Sequence, residues 1–244
     1  MEKEEMRLQK YIAQTGLASR RKAEEYIEKG YILVDGKVAT LGMKITNDNV
    51  IEYVKKNGEK RLLSKEEKEY YLLNKPLGYV CTSYEQFNRP KVIDIIKSNS
   101  RLVTVGRLDM YTTGAIIVTN DGELVNNLTH PKNEIEKEYT VTIKGEIKKD
   151  DLDKLEKGIE IENYITAPAK TKILKIDSDK NISRVRVKIH EGKNREVRKM
   201  FKTLGYSVIA LHRNMFAGLE VSNLKPGEYI QLSKKDIMKL KELM

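Results

Sequence analysis

Gly106-Arg107-Leu108-Asp109-Met110-Tyr111-Thr112-Thr113-Gly114, running on into Ala115-Ile116-Ile117-Val118 and then Thr119-Asn120-Asp121-Gly122, is the stretch on which the reading of this chain turns. A polar loop with one Arg and one Asp feeds an unbroken apolar run. Such a run between a Gly and an Asp-Gly turn signal predicts a buried strand. The segment ahead of the loop, Leu102–Val105, predicts another strand, so the loop joins two strands. On these grounds alone Asp109 is most simply one half of an ion pair with Arg107.

Working outward, Tyr70–Leu73, Tyr139–Ile143, Val185–Ile189 and Val208–Leu211 also read as strands, whereas Asp151–Lys157, Glu196–Thr203 and Lys234–Leu243 read as helices. The expected fold class is α+β, with a mostly antiparallel mixed sheet flanked by helices in a domain covering 70–244. Ahead of it, Asn57 to Glu69 is polar and charged, and residues 63–69 are expected to be a linker.

Residues 1–62 form a pattern of their own. Leu8, Tyr11 and Ile12 share one helical face, and Thr15-Gly16 suits the left-handed residue that ends a helix. Ser19 stands where an N-cap belongs, ahead of a second helix with Ala23, Tyr26 and Ile27 on its apolar face. Tyr31–Val34 and Lys37–Ala39 flank Asp35-Gly36, a strong hairpin signal. The basic triplet Arg20-Arg21-Lys22 falls in the first turn of the second helix, where cations oppose the helix dipole. Free N–H groups and positive charge together make a phosphate site there, and the plainer reading is a solvated basic face.

Composition sets outer limits. The chain has 244 residues, 46 basic against 36 acidic, and a formal charge of +10, which suits a polyanionic partner. Thirteen Tyr, with three Phe and no Trp, leave stacking surfaces for bases. Cys81 is the only cysteine, which excludes an intrachain disulfide and a cysteine zinc cluster. His130, His190 and His212 are too scattered for a metal motif, and there is no Gly-rich nucleotide loop. No apolar run approaches the roughly 20 residues of a membrane span. The charged N-terminus, Met1 to Glu5, has no signal-peptide pattern behind it. A cytoplasmic, monomeric protein without cofactor or metal is expected.

The helix, turn, helix, hairpin order over about residues 5–50 resembles the S-four domain, a small RNA-binding module first known from a small-subunit ribosomal protein. Gly-Arg-Leu-Asp-x-x-Thr-x-Gly at 106–114 resembles the signature of the pseudouridine synthases, in the ribosomal-RNA branch that carries an N-terminal S-four domain. Three more blocks are similar to that branch, in order. They are Asn74-Lys75-Pro76-Leu77-Gly78 with Arg89-Pro90, then Thr129-His130-Pro131-Lys132 with Lys137-Glu138-Tyr139, and finally Glu191-Gly192-Lys193-Asn194-Arg195 running through Arg198 to Phe201. Asn194-Arg195 looks more like the large-subunit rRNA enzymes than the small-subunit ones.

The resemblance implies an isomerase that breaks the glycosidic C–N bond of a uridine, turns the uracil and forms a C–C bond. That reaction needs no redox step, phosphate energy or metal. One ionised carboxylate serves, as nucleophile or as base. By position in the motifs, Asp109 is that carboxylate, Arg198 the cation that keeps it charged, and Tyr139 the ring that stacks on the target base. Arg107 fills the space left by the flipped uridine. Arg20, Arg21, Lys22, Lys75, Lys193 and Arg195 are expected to contact the RNA. One departure stands out: Tyr111 occupies a position where the branch usually has Asp or Asn, which puts that side chain's loop contact in question. The rival reading is a silent RNA-binding assembly factor, which should have lost at least one of Asp109, Tyr139 and Arg198.

Overall fold

The computed structural model describes residues 5–82 and 88–243, so most of the charged N-terminal stretch, residues 1–4, lies outside them. The chain divides into two compact units: Met1–Glu69 with Ser98–Arg101, and Tyr70–Lys97 with Leu102–Met244.

In the first unit, helix α1 (Leu8–Gln14) buries Leu8 and Ile12, and helix α2 (Arg20–Glu28) buries Ala23 and Ile27. Ser19 caps α2 by accepting from the Lys22 N–H at 3.2 Å. Strands β1 (Ile32–Val34) and β2 (Lys37–Val38) form the hairpin. Asp35 and Gly36 take φ of 51° and 78°, the pair of positive angles that a tight hairpin turn demands. The Asp35 carboxylate accepts from Val50 N and Asn49 Nδ2, and the Val50 bond above all holds its pKa below the usual value. Two further strands, β3 (Ile51–Val54) and β4 (Lys60–Leu62), complete a four-stranded sheet. The segment expected as a linker is ordered at both ends: Leu63 belongs to this unit's core, and the Glu69 carboxylate accepts from Ser98 and Ser100.

The second unit is built on a sheet of β5 (Tyr70–Lys75), β6 (Val103–Thr104), β7 (Thr112–Thr119), β8 (Lys137–Lys144), β9 (Lys170–Asp177), β10 (Ile182–Ile189), β11 (Ser207–Phe216) and β12 (Tyr229–Gln231). The main path runs β9-β10-β8-β11-β7-β5-β12, and β6 and the short Leu219–Glu220 strand lie off it. Among the described residues every pairing of this sheet is antiparallel except β7 with β11, so the sheet is mixed and mostly antiparallel, as expected. The apolar run of β7 reflects burial on both faces: Ile116 and Val118 enter one core, Ala115 and Ile117 the other. Helix α5 (Glu196–Thr203) packs Val197, Met200 and Phe201 on the first core. Helix α4 (Lys149–Lys157) adds Leu152 and Leu155, and α6 (Lys234–Glu242) buries Leu240 in the other.

Asp121-Gly122, read from sequence as a turn, instead starts helix α3 (Gly122–Thr129). Asp121 is its N-cap and accepts from the N–H groups of Glu123 and Leu124. Strand β9 was not expected because six of its eight residues are exposed, which leaves no alternating apolar signal.

The parallel junction places Thr112, Thr113 and Gly114 opposite Leu211, His212 and Arg213. Gly114 has φ of 108°, and a Cβ there would strike the backbone of Arg213. The last residue of the loop motif is thus a glycine so that β11 can approach.

Candidate active site

Asp109 sits at the end of the loop that enters β7, and its carboxylate is held from several sides. Oδ1 accepts from the Tyr111 N–H at 2.8 Å, Oδ2 accepts from the Thr112 hydroxyl at 2.8 Å, and Arg198 Nε lies 3.3 Å from Oδ2. Arg198 reaches there from α5 and also donates through Nη2 to the Tyr111 carbonyl at 2.9 Å and through Nη1 to Val208 O at 3.3 Å. The pair is screened from bulk water, with side chains 24% and 14% exposed, where a charge pair is felt more strongly than on an open surface. The expected partner of Asp109 is therefore in place. Its sequence neighbour Arg107 is exposed.

Tyr111 explains its own departure from the family pattern. Its ring is 60% exposed, and the loop uses only its backbone, the N–H towards Asp109 and the carbonyl towards Arg198.

Lys75 requires a correction. Expected as a phosphate contact, it is fully buried, and its ammonium donates to the carbonyls of Thr112 at 2.8 Å and Pro76 at 3.1 Å. It cannot touch RNA from there. Burial pulls its pKa down, opposed by the charges of Cys81 and Asp109. With the Gly78 N–H bonded to Met110 O at 2.9 Å, the 74–78 block props the Asp109 loop from beneath.

A cavity of about 750 Å³ opens beside the loop, lined among others by Asp109, Arg107, Tyr139, Lys137, Glu196 and Arg213. Tyr139 is carried on β8 and is 8% exposed. Lys193 and Arg195 also line the cavity and are exposed. Arg195 is the N-cap of α5 with φ of 53°, a left-handed conformation that a long side chain seldom adopts. Lys193 stands 3.5 Å over the Tyr164 ring and 3.4 Å from Glu191. Arg20, Arg21 and Lys22 are exposed in the first unit, with Lys22 paired to Glu25 at 2.6 Å.

Several cavity groups were not foreseen. Burial pulls the Lys137 pKa down to about 8, helped by the charge of Arg213, and its ammonium donates to Ile135 O and His190 O at 2.7 Å each. Glu196 is pushed up to about 7, by burial first and then by its hydrogen bond and repulsion with Glu191. Burial works against Glu191 too, but the Ala167 N–H, Glu196 and Lys193 hold its pKa low. Arg213 was missed although Leu211, Arg213 and Met215 alternate on one strand as three buried residues. A charge at an inward strand position is the signal that could have found it. Among the described residues, no group of His, Cys, Asp and Glu could hold a metal ion.

Residues 69–203 match the profile of the RNA pseudouridylate synthases, and residues 6–51 match that of the S4 domain. The chain is 44% identical to ribosomal large subunit pseudouridine synthase B of Bacillus subtilis (strain 168), over 97% of this chain and 96% of that one. It is 34% identical to the dual-specificity RNA pseudouridine synthase RluF of Escherichia coli (strain K12), over 98% of this chain and 79% of the other. A crystal structure of a pseudouridylate synthase superposes with a TM-score of 0.68 at 30% identity, covering 96% of this chain and 99% of that one. An S4 domain followed by this catalytic fold, with both profiles matched in order, makes the chain a member of the RNA pseudouridylate synthase family, an isomerase that acts on RNA.

Proposed function

We propose that the enzyme converts one uridine of large-subunit ribosomal RNA to pseudouridine, with Asp109 as the reacting carboxylate. The observation that carries this is the Asp109 carboxylate itself, gripped by Arg198, Thr112 and the Tyr111 N–H in the cavity that Tyr139 also lines. Arg198 holds and aims the carboxylate, and the ring of Tyr139 stacks on the uracil. Arg107, exposed at the cavity, fills the gap left in the RNA. Arg20, Arg21, Lys22, Lys193 and Arg195 grip phosphates. The 1–62 module brings the RNA and the 70–244 domain isomerises it. The silent-factor reading is disfavoured because Asp109, Tyr139 and Arg198 are all present and two of them meet.

The large-subunit target is supported by the name of the Bacillus subtilis relative and by the Asn194-Arg195 pair. The reading extends to a protein that acts in the cytoplasm, as a monomer and without a cofactor. Among the described residues no helix is long and apolar enough to cross a membrane. The test is to give purified enzyme unmodified large-subunit rRNA, small-subunit rRNA and tRNA separately, and to map products by carbodiimide and primer extension. A single new stop in large-subunit rRNA is expected. Modification confined to either other RNA would overturn the target.

A further inference from the structure

Three cations are withdrawn from solvent here, Lys75 buried beneath the Asp109 loop, Lys137 half-buried and Arg213 buried on the cavity wall, and two have their donors engaged by the protein. Lys75 gives its ammonium to two backbone carbonyls, and Lys137 does the same. The third, Arg213, is different. It is 3% exposed, its Nε donates to Ala115 O at 2.7 Å, and its Nη2 is sealed from solvent with no acceptor. One face of its guanidinium lies 4.6 Å from the centre of the Phe216 ring. Most of its donors therefore have no partner among the described residues. A desolvated cation in that state is costly unless a ligand completes it.

The register says where that ligand would be. Arg213 on β11 is the direct cross-strand partner of Tyr139 on β8 and pairs on its other side with Gly114 of β7, the end of the Asp109 loop. Side chains directly opposite on one sheet face stand about 4.5–5.5 Å apart at Cβ. A base stacked on Tyr139 would present its polar edge to the Arg213 guanidinium.

We propose that Arg213 is a further catalytic residue, which donates to a carbonyl oxygen of the uracil and stabilises the base as it leaves the ribose. The inference rests on Asp109 as the reacting carboxylate and Tyr139 as the stacking ring. If Asp109 is a nucleophile, a C1′–O bond forms and the C1′–N1 bond breaks. If it is a base, the C2′ proton is taken, C1′=C2′ forms and C1′–N1 breaks. Either way the bonding pair leaves on N1 and spreads onto the ring oxygens. The uracil is neutral before this step and anionic after it, so a fixed cation at its edge favours the transition state over the ground state. The charge is removed when C5 bonds to C1′: in the first case the C1′–O bond breaks and Asp109 leaves as a carboxylate, in the second C2′ takes its proton back from Asp109 as C1′=C2′ is lost. The C5 proton is then lost and N1 gains one.

Single-turnover tritium release from large-subunit rRNA transcribed with [5-³H]uridine, alongside filter binding of the same RNA, separates the possibilities. Arg213→Gln should slow release by about 10²–10³-fold, the cost of losing one preorganised donor, with Kd within threefold of wild type. Arg213→Lys keeps the charge without the fork and should fall between the two. If the Gln variant loses its cooperative melt, the Lys variant carries the measurement. A wild-type rate in the folded variant overturns the proposal. So does a wild-type rate at saturating RNA with binding weakened tenfold and a salt slope reduced by about 0.7–0.9, which would make the partner a phosphate. Release by Asp109→Asn would instead remove the assignment beneath it.

Discussion

Arg198 bonds the Asp109 loop at both its side chain and its backbone: Nε lies 3.3 Å from the Asp109 carboxylate while Nη2 donates to Tyr111 O at 2.9 Å. One planar fork thus holds both the carboxylate and the path of the chain that carries it. A lysine has a single ammonium and cannot span both acceptors with that geometry. Arg198→Lys should lower the single-turnover rate by at least tenfold with rRNA affinity nearly unchanged. Asp109→Asn should abolish turnover, because an amide keeps the shape but is neither nucleophile nor base; activity within tenfold of wild type would remove Asp109 from the chemistry.

The two neighbours that follow should respond in opposite ways to substitution. Tyr111 contributes only backbone to the loop and its ring is exposed, so Tyr111→Asn should leave rate and stability within about 0.5 kcal/mol of wild type. Thr112 is 1% exposed, and its hydroxyl donates to Asp109 and accepts from Arg198 at 3.4 Å. Thr112→Val leaves both partners short, at a cost of about 1–3 kcal/mol. Urea unfolding and tritium release on the same preparations test both, and equal effects would contradict this account.

Lys75 and Arg21 are both basic, but only one is expected to meet RNA. Lys75→Met should leave the salt dependence of rRNA binding as it is, while destabilising the fold by about 1–3 kcal/mol because two buried carbonyls lose their donor. Arg21→Ala should leave stability alone and flatten the log–log salt slope by about 0.7–0.9. A reduced slope for the Lys75 variant would restore it as a phosphate contact.

The carboxyl pair on the cavity wall should mark the pH dependence of stability. Glu196 carries a raised pKa of about 7, so the folded state holds its proton more tightly than the unfolded chain, whose value is near 4.5. That contribution is full below about 4.5 and is lost as pH rises to about 7. Glu196→Gln keeps a neutral group there. Relative to wild type it should gain on the order of 2–3 kcal/mol across that window. The depressed Glu191 acts in the opposite sense, and its contribution is lost as pH falls through its folded value, below 4.5. Parallel stability curves for the two proteins from pH 4.5 to 7 would show that Glu196 does not titrate there.

What was legible in the sequence follows from which physical signals are local. The Asp35-Gly36 turn, the Ser19 cap and the helix over Glu196–Thr203 depend on neighbours within a few residues, and they stand as expected. Asp121-Gly122 defeated the same logic because Asp before Gly serves a turn and a helix N-cap equally. The spacing of Leu124 and Leu128, both buried on one helix face, was the discriminating sign. Lys75 was misread because charge was taken to mean surface, although it stands two residues beyond the buried Leu73 on a strand, hence on the same face. Arg213 and Tyr139 are 74 positions apart, and only the β8–β11 register makes them neighbours. No local pattern carries that information.

That register depends on Gly114, which yields the last prediction. Among the described residues β7 and β11 are the only parallel pair in the main sheet, and they pair over just three positions, Thr112 to Gly114. At the third, the Gly114 backbone has φ of 108° and leaves no room for a Cβ before the backbone of Arg213. Alanine there would meet two penalties together: a conformation L-residues avoid and a collision with main chain, which cannot swing aside as a flexible side chain would. The strand would have to shift, taking Arg213 from the cavity and Thr112 from Asp109. Gly114→Ala should therefore destabilise the protein by about 3 kcal/mol or more, and the fraction that folds should have lost isomerase activity. Gly36→Ala shares the positive φ, at 78°, but has nothing within 4 Å of the added methyl, so it isolates the conformational penalty from the collision. If the two substitutions cost the same in urea unfolding, close approach of β11 is not what requires glycine at 114.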